Sequence, residues 1–331
     1  MADYKGIQGF SVQKLGSDPT PADTLGQLFF NSADSEFHIS ALGGGSWSSG
    51  ALLNQSRRNF MGGMGTTTAG GVSAGYTPSA TSDLTEEYDG TCWSEENDLP
   101  QSSQWAWTSG TITAGITATG GGPPTTLNTT DEYDGTSWAA GGNYPAAFYY
   151  CNGCGTQTAA MANGGFQSGV GYVNDTNEYD GSTWTAGGNL PATIGLGGMS
   201  GTQTAAIRMG GLSPVVGPST TNCDTYDGSS WSETASLNNP RQPCGAAPNG
   251  TTAATLCVGG AVNEGPGTVG RCEQFDGTSW AAITQLTQGR SKVASVGTNE
   301  AYLATGGDPQ TGGETELWDN SPIATQTITV S

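Results

Sequence analysis

Asp131-Glu132-Tyr133-Asp134-Gly135-Thr136-Ser137-Trp138 is one copy of a phrase that returns along the chain: an aromatic, Asp, Gly, two small residues and Trp. Variants run from Tyr88-Asp89-Gly90 to Trp93, Tyr179-Asp180-Gly181 to Trp184, Tyr226-Asp227-Gly228 to Trp231 and Phe275-Asp276-Gly277 to Trp280. Trp47 lacks the preceding Tyr-Asp-Gly, and Trp318-Asp319-Asn320 lacks the following Trp. Trp47, Trp93, Trp138, Trp184, Trp231 and Trp280 are separated by 46, 45, 46, 47 and 49 residues, the spacing of an array of similar units. Each phrase reads as a hairpin. The aromatic ends one strand, Asp-Gly tolerates the turn's backbone, and Trp opens the next strand.

Between the phrases the chain keeps one formula. A Trp strand is followed by a turn such as Gly141-Gly142-Asn143-Tyr144-Pro145 or Gly187-Gly188-Asn189-Leu190-Pro191. A second strand reaches Gly155-Thr156-Gln157-Thr158 or Gly201-Thr202-Gln203-Thr204, and a third runs to a Gly pair at 164–165, 210–211, 259–260 or 306–307. A loop of variable length leads to the strand that ends at Tyr-Asp-Gly. Four short strands cannot bury a face alone, so the units are expected to pack side by side around an axis.

This pattern resembles the kelch-repeat propellers over roughly residues 46–319, in its double Gly, spaced aromatic and later Trp. The resemblance implies an all-β, six-bladed kelch-type β-propeller with four strands per blade, A innermost to D carrying the Trp. The chain enters at a D strand and leaves at a C strand, so closure is expected to pair the strand near Trp47 with the last blade. An Arg that kelch blades often carry after the Trp is matched by Arg57 or Arg58, Arg241 and Arg290, and is replaced around Ser103, Phe148 and Ile194.

Outside the repeat, residues 1–45 read as an N-terminal arm with a hairpin from Gly26–Asn31 and Glu36–Ser40, and Gly43-Gly44-Gly45 as a hinge. Residues 320–331 read as a C-terminal strand or tail, with alternation from Ile323 to Val330.

Composition limits the function. Nine Lys and Arg stand against 29 Asp and Glu, a net charge of −20, so no basic face for nucleic acid or anionic membrane can be assembled. There is no apolar run long enough to span a bilayer, and the start Met1-Ala2-Asp3-Tyr4-Lys5 carries no secretory signal core. A product folded in the cytosol with reduced thiols is expected, and the 7 Cys do not suggest a disulfide framework.

Candidate chemistry is sparse. The single His, His38, lies in the arm, so no catalytic His, metal site or cofactor is expected. The Asp of the Tyr-Asp-Gly turns are distributed around the rim, too far apart for paired acid and base work. Cys151-x-x-Cys154 has no partner pair, while Cys244 and Cys257 could face each other across strands. Arg57, Arg58, Arg241 and Arg290 fall near the starts of A strands and could converge, as a sialidase- or lyase-type sugar enzyme would require.

The B–C and D–A loops vary in length and content and share one face, where recognition is expected. Aromatics gather there: Trp105, Trp107, Tyr144, Phe148, Tyr149, Tyr150, Phe166 and Tyr172 form the candidate ligand surface. The repeats resemble kelch-type proteins of marine bacteriophage particles. That resemblance implies a non-enzymatic virion protein, a tail appendage or capsid decoration, in many copies. Residues 1–45 and 321–331 would contact other virion proteins, and the loop face would bind a host surface or glycan. A sugar-acting enzyme and a purely structural decoration are the alternatives.

Overall fold

The computed structural model describes residues 13–15, 28–33, 35–41, 45–60, 62–122, 125–262, 267–309, 313–320 and 324–327. Two compact units divide the chain, residues 46–319 and residues 1–45 with 320–331. The first is a six-bladed β-propeller. Blade 1 consists of Met64–Thr66, Ala69–Ser73, Thr85–Tyr88 and Trp93–Glu96, paired antiparallel in that order. Blades 2 to 5 repeat the order over residues 107–140, 152–186, 198–234 and 245–283.

Blade 6 takes A, B and C from Ala294–Gly297, Ala301–Thr305 and Thr315–Asp319, and its D strand is Ser46–Ser49. Trp318 lies opposite Trp47 in that pairing. The expected closure is therefore the observed one, and it joins the first strand of the ring to the last blade.

The repeated residues build the seams between blades. Each D-strand Trp tilts against the aromatic that ends strand C, with Tyr133 and Trp138 centred 4.8 Å apart and Tyr179 and Trp184 4.9 Å apart. The indole N–H then crosses to the preceding blade. Trp138, Trp184 and Trp231 donate to the hydroxyls of Thr85, Thr130 and Thr176 at 2.9 Å, and Trp93 donates to Thr315 at 3.2 Å. In blades 4 and 5 Cys223 and Cys272 open strand C where the others have Thr. There the indoles of Trp280 and Trp47 turn to the backbone carbonyls of Ala235 and Thr284. The Gly-Thr-Gln-Thr turns act across the same seams, since Gln157 donates to the carbonyls of Gly115 and Tyr133 and Gln203 to those of Ala160 and Tyr179.

The Asp of each C–D turn folds back on its own hairpin. Asp134 Oδ1 accepts from the backbone N–H groups of Thr136 and Ser137. The same bonds hold the Asp180 and Asp227 carboxyls down at about 2. These acids are turn residues, as their spacing implied.

At the ring centre the A strands of neighbouring blades touch all the way round. The start of blade 5's A–B connection, Ala247–Asn249, reaches to the A–B turns of other blades at this end of the channel. Asn249 donates through its amide to Gly65 O at 2.7 Å and through its backbone to Gly297 O, and Pro248 O accepts from Gly201 N. The void left among the A strands measures only about 10 Å³.

In the other unit, Leu28–Asn31 and Glu36–Ala41 form a hairpin, with Gln13–Leu15 parallel to the first strand and Ala324–Thr327 antiparallel to the second. Phe30 meets Phe37 edge-on at 5.2 Å within that hairpin. The Gly43-Gly44 hinge, Asp34 and the strand ends beyond Thr327 lie outside the described residues, as does the side chain of His38.

Candidate functional site

The opposite end of the channel opens into a cup of about 650 Å³, within the usual size of a small-molecule site. It is made where the D–A and B–C loops of the blades converge, and both loops are set by the same repeat residues. The second residue of each Gly pair, or its equivalent, donates its N–H to the next blade. The bonds run from Gly75, Gly120, Gly165, Gly211, Gly260 and Gly307 to the carbonyls of Ser103, Phe148, Ile194, Arg241, Arg290 and Arg57, at 2.7–3.0 Å. These glycines hold φ between 94° and 108°. Most side chains would be strained there.

One residue further along each D–A loop, a bridge reaches the residue that follows the Gly pair. The bridges are Arg58 to Tyr76, Gln104 to Gly121, Gly195 to Leu212, Gln242 to Ala261 and Ser291 to Asp308, with Tyr149 paired to Phe166 in blade 3. The next residue turns into the mouth. Trp105, Tyr150, Leu196, Pro243 and Lys292 all do so, and all line the cup.

The lining is divided by chemistry. Blades 2 and 3 give Trp105, Tyr150 and Tyr172, with Trp105 edge-on to Tyr150 at 4.7 Å. Blades 4 and 5 give Leu196, Leu212, Pro243 and Ala261. Blade 6 gives Ser291 and an ion pair, Lys292 Nζ to Asp308 Oδ2 at 3.0 Å, while Arg58 from blade 1 reaches Asp308 Oδ1 at 3.0 Å. Burial pushes the Asp308 carboxyl up, but the hydrogen bond and charge of Lys292 and the charge of Arg58 outweigh it and hold the group below its ordinary range. Lys292 also stands 5.6 Å over the Trp105 ring. Gln242 is 4 % exposed; its amide N–H is fixed on Pro218 O, and its Oε1 has no partner. On the blade 3 and 4 loops, Val170 and Val215 are 69 % and 80 % exposed.

The eight aromatics chosen from sequence separate into two groups. Trp105, Tyr150 and Tyr172 line the cup; Tyr149 and Phe166 are half-buried beside them, with rings 5.1 Å apart. Trp107, Tyr144 and Phe148 are core residues and do not reach it. Trp107 opens strand A of blade 2 and packs edge-on to Trp184. Tyr144 occupies the repeat position of the buried Leu53, Leu99, Leu190, Leu237 and Leu286, its hydroxyl accepting from Asn177 at 2.8 Å. Phe148 stands in the phase of the buried Arg.

Those Arg do not converge either. Arg57, Arg241 and Arg290 are buried within their own blades, each paired with a strand C acid, Glu86, Glu273 or Glu316. Each also donates to backbone carbonyls, as Arg290 does to Gly306 O and Glu314 O. The sequence compensates wherever the Arg is missing. Blade 4, with Ile194, brings Arg208 from strand B to Asp224. Blade 3, with Phe148, has the neutral Asn177 in the acid's place.

Blade 2, with Ser103, keeps the acid: Asp131 is 8 % exposed, and burial pushes its carboxyl from 3.8 up to about 6. Ionisation is thus disfavoured in the folded state. The folded protein gains nothing from this group below about pH 3.8, where it is neutral in both states, and pays for it above about pH 6. Allowing for solvent screening, Asp131→Asn should raise stability by about 1–2 kcal/mol at neutral pH and by nothing near pH 3.5. Thermal melts of both proteins at the two pH values check this.

Cys151 and Cys154 are buried, and Cys151 donates to Gly164 O. Cys244 and Cys257 do face each other, both buried and reduced, with burial raising the Cys257 thiol. Among the described residues no group of three or more His, Cys, Asp and Glu is arranged to hold a metal.

No protein-family profile matches the chain, and no curated protein matches it in sequence. Among solved structures it is similar to YjhT, with a TM-score of 0.65 at 12% identity, over 83% of this chain and 99% of YjhT. At that identity the likeness shows the fold, an all-β propeller, and nothing finer.

Proposed function

We propose that the chain is a non-enzymatic binding protein of a bacteriophage particle, which presents the cup to a saccharide of the host surface. The cup is the observation that carries this reading. It combines flat aromatic faces with polar groups at fixed positions, as an amphipathic sugar ring requires: C–H faces stack on rings, and hydroxyls exchange hydrogen bonds at the edge. Lys292 Nζ offers donors over the Trp105 ring.

Hydrolysis by a carboxylate pair finds less support. Among the described lining residues Asp308 is the one carboxylate, and it is engaged by two cations. Of the four arginines that a sialidase-type site would gather, Arg57, Arg241 and Arg290 are paired inside their blades and only Arg58 reaches the cup, on Asp308.

The particle reading rests on the likeness of the repeats to kelch-type phage proteins and on the second unit. There both terminal segments enter one sheet, whose edge strands Gln13–Leu15 and Ala324–Thr327 suit pairing with neighbouring virion proteins. Full-length protein applied to glycan arrays and to host cells tests the binding claim. Discrete glycans should be retained; blank arrays together with absent cell binding would contradict it.

A further inference from the structure

At one phase of the six repeats, Asn59, Leu196, Pro243 and Lys292 stand in the same place as the aromatics Trp105 and Tyr150. Counting the Arg position of each D–A loop as the first, the third residue is Asn59, Trp105, Tyr150, Leu196, Pro243 or Lys292. All but Pro243 hold φ between 59° and 67°. Asn visits this left-handed region readily; Trp, Tyr and Leu seldom do. Glycine would meet no penalty there, and this chain has 54 glycines, yet none of the six positions has one.

The backbone at these positions is fixed on both sides, by the bridge to the B–C loop before them and by strand A after them. The side chain is therefore free to vary while its direction is kept. It does vary, from amide to indole, phenol, isobutyl, pyrrolidine and ammonium. Strained conformations retained around an opening point to use.

We infer that five of these positions, those of blades 2 to 6, set the ligand specificity of the cup; Asn59 of blade 1 is buried, bonded through its amide to Gln104, and does not line it. Trp105, Tyr150 and Leu196 take the apolar face of a sugar ring, and Lys292 its oxygen-bearing edge. Contacts already run between neighbours in the set: Trp105 meets both Tyr150 and Lys292. Backbone bonds from Trp105 N to Asn59 O and from Leu196 N to Tyr150 O link successive positions. This inference rests on the saccharide-binding reading above.

The set supplies its own conservative replacement, since Asn59 shows that the loop accepts Asn at φ 64°. Full-length Trp105→Asn, Leu196→Asn and Lys292→Asn would be compared with the unaltered protein on one array of neutral, amino and uronic-acid glycans, with melting temperatures recorded beside. Lys292 is partly exposed and serves if either apolar variant unfolds. The expected result is a folded variant whose preferred glycan binds at least about tenfold more weakly, or whose order of preference changes. If the unaltered protein binds and every folded variant keeps its glycans and affinities, the specificity assignment fails while the binding reading stands. If the unaltered protein binds nothing on array or cells, both fall.

Discussion

Arg290→Met will lower the stability of the propeller by about 3–5 kcal/mol, because it leaves the buried carboxylate of Glu316 without its cation. Arg290 is fully buried, with Nη2 2.6 Å from Glu316 Oε1 and Nη1 on the carbonyls of Gly306 and Glu314. The methionine fills much of the volume but satisfies none of those acceptors. Glu316 keeps only what it accepts from Thr287, through N–H and hydroxyl at 2.8 Å each. Blade 6 is also where Ser46–Ser49, the first strand of the ring, closes it, so the loss falls on the seam that joins the ring's two ends. Adding Glu316→Gln should recover part of the loss, since a neutral amide needs no counter-charge. Blade 3 already pairs a missing Arg with Asn177. Equilibrium urea unfolding of both single variants and the double variant measures this. Additive losses would show that the two residues do not act as a pair.

Gly153→Ala will cost about 1–3 kcal/mol or more, a large effect for one methyl group, because the new Cβ would overlap the indole of Trp107 in the adjoining blade. Neither side can give way easily. Gly153 lies on strand A, bonded on its far side to Ala162, and Trp107 is fully buried against Trp184. Trp107→Phe in the same chain shortens the obstacle and should restore part of the loss, although Trp107→Phe alone is destabilising. Melting temperatures of the three variants decide. Equal losses with and without Trp107→Phe would place the fault elsewhere.

The ring was legible in the sequence because its seams are made by the repeated residues themselves. The Trp, the Thr opening strand C, the Gln of the A–B turn and the Gly pair each have one interblade task, and the task recurs. Even exceptions follow: where Cys223 and Cys272 replace Thr, the indole finds a carbonyl.

The cup was only partly legible, because clustering of aromatics ignores repeat phase. Trp105 and Trp107 are two residues apart, yet one turns into the mouth from a left-handed loop position and the other enters the core at the start of a strand. Tyr144 shares the phase of five buried leucines, and Phe148 shares that of the buried Arg; phase alone assigns both to the interior. Lys292, Leu196 and Pro243 carry no aromatic signal. They become visible when the six D–A loops are aligned with one another. The partnership of Gln242 with Pro218, and the pairing of Arg58 and Lys292 on one Asp, depend on loop paths that the sequence does not specify.

The most direct test of the account is a cryo-EM map of the protein in its native particle, resolved well enough to trace both terminal segments. The account predicts that the sheet of Glu36–Ala41 and Ala324–Thr327 grips a neighbouring virion protein and that the cup lined by Trp105, Tyr150 and Lys292 opens to solvent. A map in which that cup is buried against a neighbour would contradict it and make the loop face an assembly contact.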